Sequence, residues 1–398
     1  MAVTVDTVAA TDRLMRFLAV PGITGEEAKI AAQITASLRE VGVPASLIRH
    51  DDVKEHIQLP TQTGNLICQL PGVGPLKDKP PILFMTHMDT VPLCAGAKPV
   101  LKGKKIVNEA ETALGGDNRT GCAVLVTLAA ELIAQKLPHP PVTFLFTVRE
   151  ESGLFGARHL NPGELGGVKM GFNFDGRSAA DVIVGAVGAD RWTVELFGKA
   201  SHAGVAPERG ISATMQLALA LADVKANGWW GKVVKGDREG TSNVGPVCGK
   251  NNGPAGDATN VVTDYVMVRG ESRSHDPKFF KEITAAYKAA FEAAVAGLTD
   301  HDGKPGKMKF TAQTDYYPFR IKDSSPAVLA ASAAITAVGL TPNVRVANGG
   351  LDANWMVKHG IPTVTFGAGQ NDIHTIKEWV DLVEFEAGCR VALAAATG

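Results

Sequence analysis

The sequence predicts an α/β protein with a mixed, largely parallel sheet, helices on both faces of that sheet, and a small inserted α+β domain. Three observations favour this class. Short apolar runs alternate with helical patterns up to about residue 186. Beyond that point the runs alternate apolar and polar residues, which is typical of half-exposed strands. The 398 residues, 45% of them hydrophobic, suffice for two domains with buried cores.

The first part of the chain predicts strands and helices in alternation. Residues 24–27 (TGEE) match a capping box, with Thr24 at the start of the following helix and Glu27 reaching back. The later elements are strands at 64–70 (GNLICQL), 80–87 (PPILFMTH), 142–150 (VTFLFTVRE) and 170–176 (MGFNFDG), with a helix at 122–135 (CAVLVTLAAELIAQ).

The boundaries predicted from this change of pattern are a main domain in two parts, 1–187 and 317–398, and an insert at 188–316. Within the insert, strands are predicted at 191–198, at 258–272 and from 307, and helices at 211–226 and 280–298. No strand is predicted in the glycine-rich segment that begins at Trp229. Trp229 and Trp230 are interpreted as the cap of a helix end, with an interface or substrate contact as the alternative.

Composition excludes some classes of partner. The formal net charge of -1 provides no electrostatic case for binding nucleic acid or an anionic membrane. The N-terminus lacks a signal-peptide pattern, and no apolar run reaches the roughly 20 residues that span a bilayer. We therefore expect a cytoplasmic protein. The scattered, odd-numbered cysteines predict reduced core thiols: Cys68, Cys94, Cys122, Cys248 and Cys389.

Acidic and histidine side chains follow several of the predicted strands. They occur in FMTHMDTVP, LGGDNRTG, TVREESG, NFDGRS and NDIHT. A lone acid after a strand is usually a helix cap or a solvated turn, but strand ends are also where open α/β sheets build their sites. Because each segment supplies a group suited to the same cation, one shared cluster is predicted: His87, Asp89, Asp117, Glu150, Glu151, Asp175 and His374.

The donor chemistry of this cluster indicates the metal. Imidazole and carboxylate without thiolate suit zinc, and cobalt and manganese also fit. Even without Asp89, the six remaining metal-competent side chains exceed the three protein ligands of a mononuclear catalytic zinc, so we expect a pair of metals. Glu150 and Glu151 are adjacent and cannot point the same way, so one is expected to bind metal and the other to act as general base.

In these motifs and their order, the chain resembles the co-catalytic dizinc exopeptidases, the family of peptidase T, aminoacylase-1 and the glutamate carboxypeptidases. The resemblance runs from about Leu14 to the C-terminus and is strongest to the peptidase T (tripeptide aminopeptidase) branch. It implies these roles: first-metal ligands His87 and Asp175, bridging carboxylate Asp117, second-metal ligands Glu151 and His374, general base Glu150, and Asp89 as the acid that orients His87.

The same resemblance implies that the insert is a lid and dimerisation domain. His202 in GKASHAG is similar to the family's lid histidine, which reaches the active site of the partner subunit and polarises the scissile carbonyl. Asn260 and Arg273 match positions that hold substrate groups, and Gly349 and Gly350 match a glycine-rich substrate loop.

Two departures from the family pattern affect the choice of substrate. Leu351 stands where the family usually has a small hydroxyl residue, and Asn348 stands where an arginine often precedes the glycines.

The implied activity is hydrolysis of short peptides, as an aminopeptidase acting on tripeptides. The implied assembly is a homodimer with two Zn²⁺ per subunit, with Glu150 as the base for a metal-activated water. The alternatives are an N-acyl amino acid deacylase or a carboxypeptidase of the same family. A catalytically silent metal- or peptide-binding protein is disfavoured because no ligand is missing from the sequence. A nucleotide-binding enzyme is disfavoured because LGGDNRTG lacks the P-loop lysine.

Overall fold

A computed structural model describes residues 4–256 and 258–398, and the chain divides into two compact units. Unit 1 comprises the chain up to Ala186 together with Arg320–Gly398, and unit 2 comprises Val187–Phe319. The sequence-based boundaries of the insert were 188 and 316.

The helices and strands follow one another along the chain in an order that leaves unit 1 once and returns to it. Unit 1 begins with α1 (Thr7–Leu18), α2 (Ala28–Glu40), β1 (Ile48–His50), β2 (Leu66–Leu70), β3 (Ile82–His87), β4 (Pro99–Lys102), β5 (Lys105–Asn108), α3 (Gly116–Ala134), β6 (Val142–Thr147), α4 (Phe155–His159), β7 (Gly171–Phe174) and β8 (Asp181–Ala186). Unit 2 contains β9 (Gly188–Phe197), α5 (Ala213–Ala226), β10 (Gly231–Lys235), β11 (Arg238–Cys248), β12 (Tyr265–Ser274), α6 (Phe279–Gly297) and β13 (Lys307–Tyr316). The short strand β14 (Phe319–Arg320) contains the boundary between the units. Unit 1 then continues with α7 (Pro326–Ala337), β15 (Asn343–Ala347), α8 (Asp352–Lys358), β16 (Thr363–Phe366), β17 (Gln370–Asn371), β18 (Trp379–Asp381) and α9 (Leu382–Thr397).

The main sheet of unit 1 is mixed, and its centre is parallel. Its strand order is β1-β2-β6-β3-β7-β16-β8-β14, with β15 paired to β8. Strands β6, β3, β7 and β16 run parallel to one another, whereas β2 and β8 are antiparallel to their neighbours in this central group. The predicted mixed α/β class is confirmed.

Helices cover both faces of the sheet because its central strands are apolar on both sides. On one face, Leu83 and Met85 of β3 pack in a cluster with Ala157 of α4 and Met356 of α8. On the other face, the ring of Phe84 lies 5.3 Å from that of Phe172 in the neighbouring strand. This burial holds the carboxyl ends of β3, β6 and β7 in place, and the candidate residues follow those ends.

The start of α2 differs from the capping-box prediction. The helix begins at Ala28, and its N-cap residue Glu27 makes no side-chain cap. Thr24 instead donates to Ser152 Oγ at 2.9 Å, and Glu27 Oε1 accepts the N–H groups of Gly25 and Arg149. The side chains of Thr24 and Glu27 therefore bond to groups outside α2 and do not cap its first turn.

Unit 2 is an antiparallel sheet with helices packed on it. The strand order is β10-β11-β12-β9-β13, and the ring centroid of Trp192 in β9 lies 4.6 Å from that of Tyr287 in α6, with the rings tilted, in the core. The glycine-rich segment, predicted without strands, contains the hairpin β10–β11. Trp229 packs 6.3 Å from Phe279, while Trp230 is exposed.

Two further expectations concern cysteines and membrane segments. All five cysteines are free, and burial raises the pKa of Cys122 and Cys389 to about 12. Among the helices of residues 4–256 and 258–398, none combines the length and the apolar character needed to span a bilayer.

Candidate metal centre

The central parallel strands bring the candidate ligands to one edge of the main sheet. His87 is the last residue of β3, and Glu150 and Asp175 follow β6 and β7. Because β3 pairs in parallel with both β6 and β7, these three positions are neighbours. Asp117 lies in the first turn of α3, and His374 lies in the loop between β17 and β18.

Asp117 lies between the two histidines. Its Oδ1 is 3.0 Å from His87 Nε2, and its Oδ2 is 3.2 Å from His374 Nε2. Asp175 Oδ1 lies 3.8 Å from His87 Nε2 on one side, and Glu151 Oε1 lies 3.0 Å from His374 Nε2 on the other. One carboxylate thus faces two separate sets of nitrogen and oxygen donors.

Two overlapping groups of these donors share Asp117, namely His87, Asp117 and Asp175, and Asp117, Glu151 and His374. A third combination, His87 with Glu150 and Glu151, overlaps both and lacks Asp117. Within each group, the potential ligand atoms all lie within 4.8 Å of one another. Imidazole nitrogen with carboxylate oxygen is a donor set that zinc, cobalt and manganese accept. The residues present therefore fit a pair of divalent cations that share Asp117.

The charges of the site favour cations. Burial lowers the pKa of His87, but the surrounding carboxylates, of which Glu150 contributes most, outweigh it and raise that pKa well above its usual value. Hydrogen bonds to Asp117 and Glu151 raise the pKa of His374 to about 10. Each histidine Nε2 therefore faces concentrated negative charge, which a bound cation would offset.

The pKa values of the carboxylates also indicate that the site contains more negative charge than its own side chains can balance. Burial, followed by neighbouring acids, raises the pKa of Glu150 well above its usual range and that of Glu151 to about 7. Burial would also raise the pKa of Asp117, but its hydrogen bonds to the two histidines outweigh that effect and lower it. Divalent cations would supply the missing positive charge.

The turn that carries Glu150 and Glu151 is held by two buried acids. Asp89 Oδ1 accepts the N–H of Glu150 at 3.0 Å, and its Oδ2 accepts the N–H of Glu151 at 3.2 Å. Asp89 Oδ1 also lies 3.4 Å from His87 Nδ1, so His87 Nε2 is the nitrogen directed at the cluster. Glu27 Oε1 accepts the N–H of Arg149, whose φ is 53°.

Three buried acids outside the predicted metal cluster lie near this site. Asp352, the first residue of α8, accepts a hydrogen bond from Thr147, and burial raises its pKa to about 7. Glu378 accepts three main-chain N–H groups around the start of α3. Glu27 is the third, and it was interpreted as a helix cap. A single acid carries no periodic signal, so only its proximity to His87 and Asp117 in the fold reveals it.

Gly349 and Gly350 lie between β15 and α8. A Cβ at Gly349 would meet no atom within 4 Å, and Gly349 does not have a left-handed φ. Packing and backbone conformation therefore do not require glycine at 349, and the space there is open.

The other predicted substrate residues lie in unit 2. An isolated β-bridge joins His202 to Val261, and Ala203 donates its N–H to Asn260 O at 2.9 Å, so His202 and Asn260 are close in space. His202 is exposed, and its Nδ1 accepts the N–H of Gly204 at 3.2 Å. Arg273 donates to Glu271 at 2.9 Å, so its guanidinium already forms an ion pair within unit 2.

A second acidic cluster in unit 2, Asp300 with His301 and Asp302, is explained by the turn that it forms. Asp300 accepts the Lys199 ammonium at 2.8 Å and the N–H groups of Asp302 and Lys304. Its oxygens therefore already have partners within the protein.

Comparison of this chain with known proteins identifies its family and shows which solved structures share its fold. A model of peptidase family M20/M25/M40 matches residues 83–397. The uncharacterised protein YqjE of Bacillus subtilis is 30% identical over 96% of each chain. The crystal structure of aminopeptidase PepT from Bacillus cereus is 30% identical with a TM-score of 0.82, over 99% of this chain and 98% of that one. A tripeptidase from Staphylococcus aureus is 27% identical with a TM-score of 0.86, over 99% and 98% of the two chains.

Proposed function

This chain belongs to peptidase family M20/M25/M40, and from that premise we propose that it is a two-metal aminopeptidase that removes the N-terminal residue of tripeptides and similar short peptides. The observation that carries the two-metal proposal is the position of Asp117, with one carboxylate oxygen near each histidine. The similarity to an aminopeptidase and to a tripeptidase over 99% of the chain supports the substrate class.

The proposed metal ligands form two sets. His87 and Asp175 would hold one cation, Glu151 and His374 would hold the other, and Asp117 would bridge both. When bound, such a pair polarises the scissile carbonyl and lowers the pKa of a water molecule. Zinc is the metal we propose, and cobalt and manganese suit the same donors.

Within the protein, Glu150 would move the proton. Its carboxylate lies 4.0 Å from His87 Nε2 and is 9% exposed. The burial that raises its pKa makes it a stronger base than an exposed glutamate, so it can take a proton from the attacking water and return it to the leaving amine. Asp89 would orient Glu150 through its main-chain N–H and His87 through its ring Nδ1.

We propose that the protein is a homodimer and that unit 2 supplies the contact. Helix α5 exposes Met215 (50%) and Leu219 (46%) four residues apart, so these two apolar side chains share one face. A second copy presenting the same helix would bury both, as a two-fold contact requires. His202 accepts a hydrogen bond at Nδ1, so its neutral form carries a proton on Nε2 that can be donated to a carbonyl oxygen of the substrate in the partner subunit.

The substrate proposal predicts a specific pattern of cleavage. With zinc, cobalt or manganese, the purified protein should release the N-terminal residue of tripeptides, and a chelator should abolish turnover. N-acetylation of the same tripeptide should lower kcat/KM by about 10²-fold or more, because a site that binds the free amine loses that contact. Chromatography of the products identifies the bond that is cut.

The Glu150→Gln protein, purified in the same way, controls for contaminating peptidases in this assay. Preferential hydrolysis of N-acetyl amino acids would instead identify a deacylase, and release of the C-terminal residue would identify a carboxypeptidase. Either result would contradict the aminopeptidase proposal.

The dimer proposal predicts complementation between inactive subunits. His202→Ala and Glu150→Ala proteins should each be inactive, but mixed dimers should regain activity because one of their two sites contains both wild-type residues. The activity of the mixture, measured after subunit exchange has been confirmed, checks this expectation.

A Leu219→Glu substitution introduced into both proteins should block association and remove the recovery. A wild-type protein that is fully active as a monomer would contradict action across the interface, as would a lack of recovery in confirmed mixed dimers.

A further inference from the structure

We infer that Glu378 is a positioning residue that joins two segments of the proposed metal centre. One segment is the Asp117 turn, residues 114–117, and the other is the His374 loop, residues 372–378. The inference rests on the proposed function, because it concerns the ligands of the proposed second metal. Glu378 does not itself belong to either group of potential ligands.

Glu378 binds the main chain of the Asp117 turn with both carboxylate oxygens. Oε2 accepts the N–H groups of Leu114 and Gly115, each at 2.8 Å, and Oε1 accepts the N–H of Asp117 at 3.0 Å. The side chain is 3% exposed. Hydrogen bonds to an ionised acceptor are stronger than neutral ones, and N–H groups around a helix start lack partners within the helix. Glu378 therefore fixes the backbone that carries Asp117.

Hydrogen bonds within the His374 loop connect its backbone to Glu378. His374 has a φ of 61°, and 47% of its side chain is exposed. Within the loop, Thr375 Oγ1 donates to Asp372 O at 2.7 Å, and Glu378 donates its N–H to Thr375 O at 3.1 Å. These bonds link the backbone around His374 to Glu378, whose carboxylate then links it to the Asp117 turn.

The two segments also pack closely. A Cβ added to Gly116 would lie 2.7 Å from Val380 Cγ2 and 3.2 Å from Glu378 Oε1. Glycine at this position allows the Asp117 turn to approach the strand that follows the His374 loop. The separation of Asp117 Oδ2 and His374 Nε2, 3.2 Å, is thus set by contacts at the main chain as well as by the side chains themselves.

This geometry distinguishes positioning from general stabilisation. A carboxylate that only stabilises the fold would, when neutralised, lower the free energy of unfolding and leave metal affinity unchanged in the folded protein. A carboxylate that sets the distance between two ligands would weaken the metal site in protein that is still folded. Loss of such a supporting contact typically weakens metal affinity by about 10- to 100-fold.

The test compares Glu378→Gln with Glu131→Gln in the full-length protein. Glu131 is a matched control, because it is 7% exposed and accepts the Asp6 N–H at 2.7 Å, but it belongs to neither group of potential ligands. Zinc titration of the metal-free proteins by calorimetry should show that Glu378→Gln weakens one of two binding events by about 10- to 100-fold. Glu131→Gln should bind zinc as the wild type does.

Two further measurements exclude a purely structural effect. Excess zinc should restore the kcat of Glu378→Gln towards the wild-type value, because the reacting groups are intact. Glu378→Asp keeps both oxygens and the charge and should lose less affinity than Glu378→Gln. If Glu378→Gln fails to fold, the zinc affinity of Glu378→Asp is compared with that of Glu131→Gln. A weaker affinity in Glu378→Asp than in this control supports the inference, and an equal affinity overturns it.

Wild-type zinc affinity in a folded Glu378→Gln protein would overturn the inference and leave the proposed function intact. Equal losses of affinity in Glu378→Gln and Glu131→Gln would also overturn it, because the effect would then follow from stability. Wild-type protein that binds fewer than two metals would refute the two-metal function itself, and the inference with it.

Discussion

Replacement of Asp117 by alanine is expected to remove both metals and nearly all activity. Asp117 is the one side chain common to the group of His87 and Asp175 and the group of Glu151 and His374, and its negative charge would offset the repulsion between two nearby dications. The loss of turnover should exceed the roughly 10²- to 10⁴-fold that loss of a general base causes, because the carbonyl would also lose its polarisation. Metal content per chain and kcat/KM, measured on the same preparation, check this expectation.

Asp51→Asn serves as the control for this experiment. Asp51 is also a buried acid of unit 1, but it bonds Asn65 and Val53 and belongs to neither group of potential ligands. The Asp51→Asn substitution should lower the free energy of unfolding and leave the metal content unchanged. An Asp117→Ala protein that retains one tightly bound metal per chain would contradict the bridging role, and so would one metal per chain in fully active wild-type protein.

Substitution of the adjacent glutamates should separate chemistry from metal binding. Glu150→Gln is expected to keep both metals and to lose about 10²- to 10⁴-fold in kcat, because an amide cannot accept the proton. Glu151→Gln is expected to lose occupancy of one metal, because Glu151 lies 3.0 Å from His374 and belongs to that group. Metal analysis and kinetics at saturating zinc distinguish the two variants.

The two substitutions control for each other, since they are isosteric and lie side by side in the turn whose N–H groups Asp89 accepts. Equal metal loss in both proteins would reject the separate roles. Near-normal kcat in Glu150→Gln would reject Glu150 as the base.

The strands and the residues at their ends could be predicted because the hydrophobic period of a strand is a property of its local sequence. Apolar runs end at His87 and shortly before Glu150 and Asp175. If each run forms a buried strand of one parallel sheet, these three residues must lie at the same edge of that sheet. The order of the motifs was also sufficient to identify the family, which the comparisons confirm.

Structural features that depend on contacts between residues far apart in the sequence could not be predicted from local patterns. The β10–β11 hairpin was missed because its glycines weaken the alternating pattern, whereas pairing with β12 stabilises the strand in the fold. The capping box was wrong because Thr24 and Glu27 bond to Ser152 and Arg149, more than 100 residues away.

The sequence by itself determined which chemical groups are available and at which strand ends they lie, since side-chain type and hydrophobic period are local properties. The tertiary structure decided how those groups face one another. It placed one oxygen of Asp117 near each histidine, and it used Glu378, an acid without a local signal, to join the Asp117 turn to the His374 loop. Hydrogen bonds between residues 261 to 264 positions apart form only when the sheet and α3 have packed, so they depend on the whole fold of unit 1 rather than on any one segment.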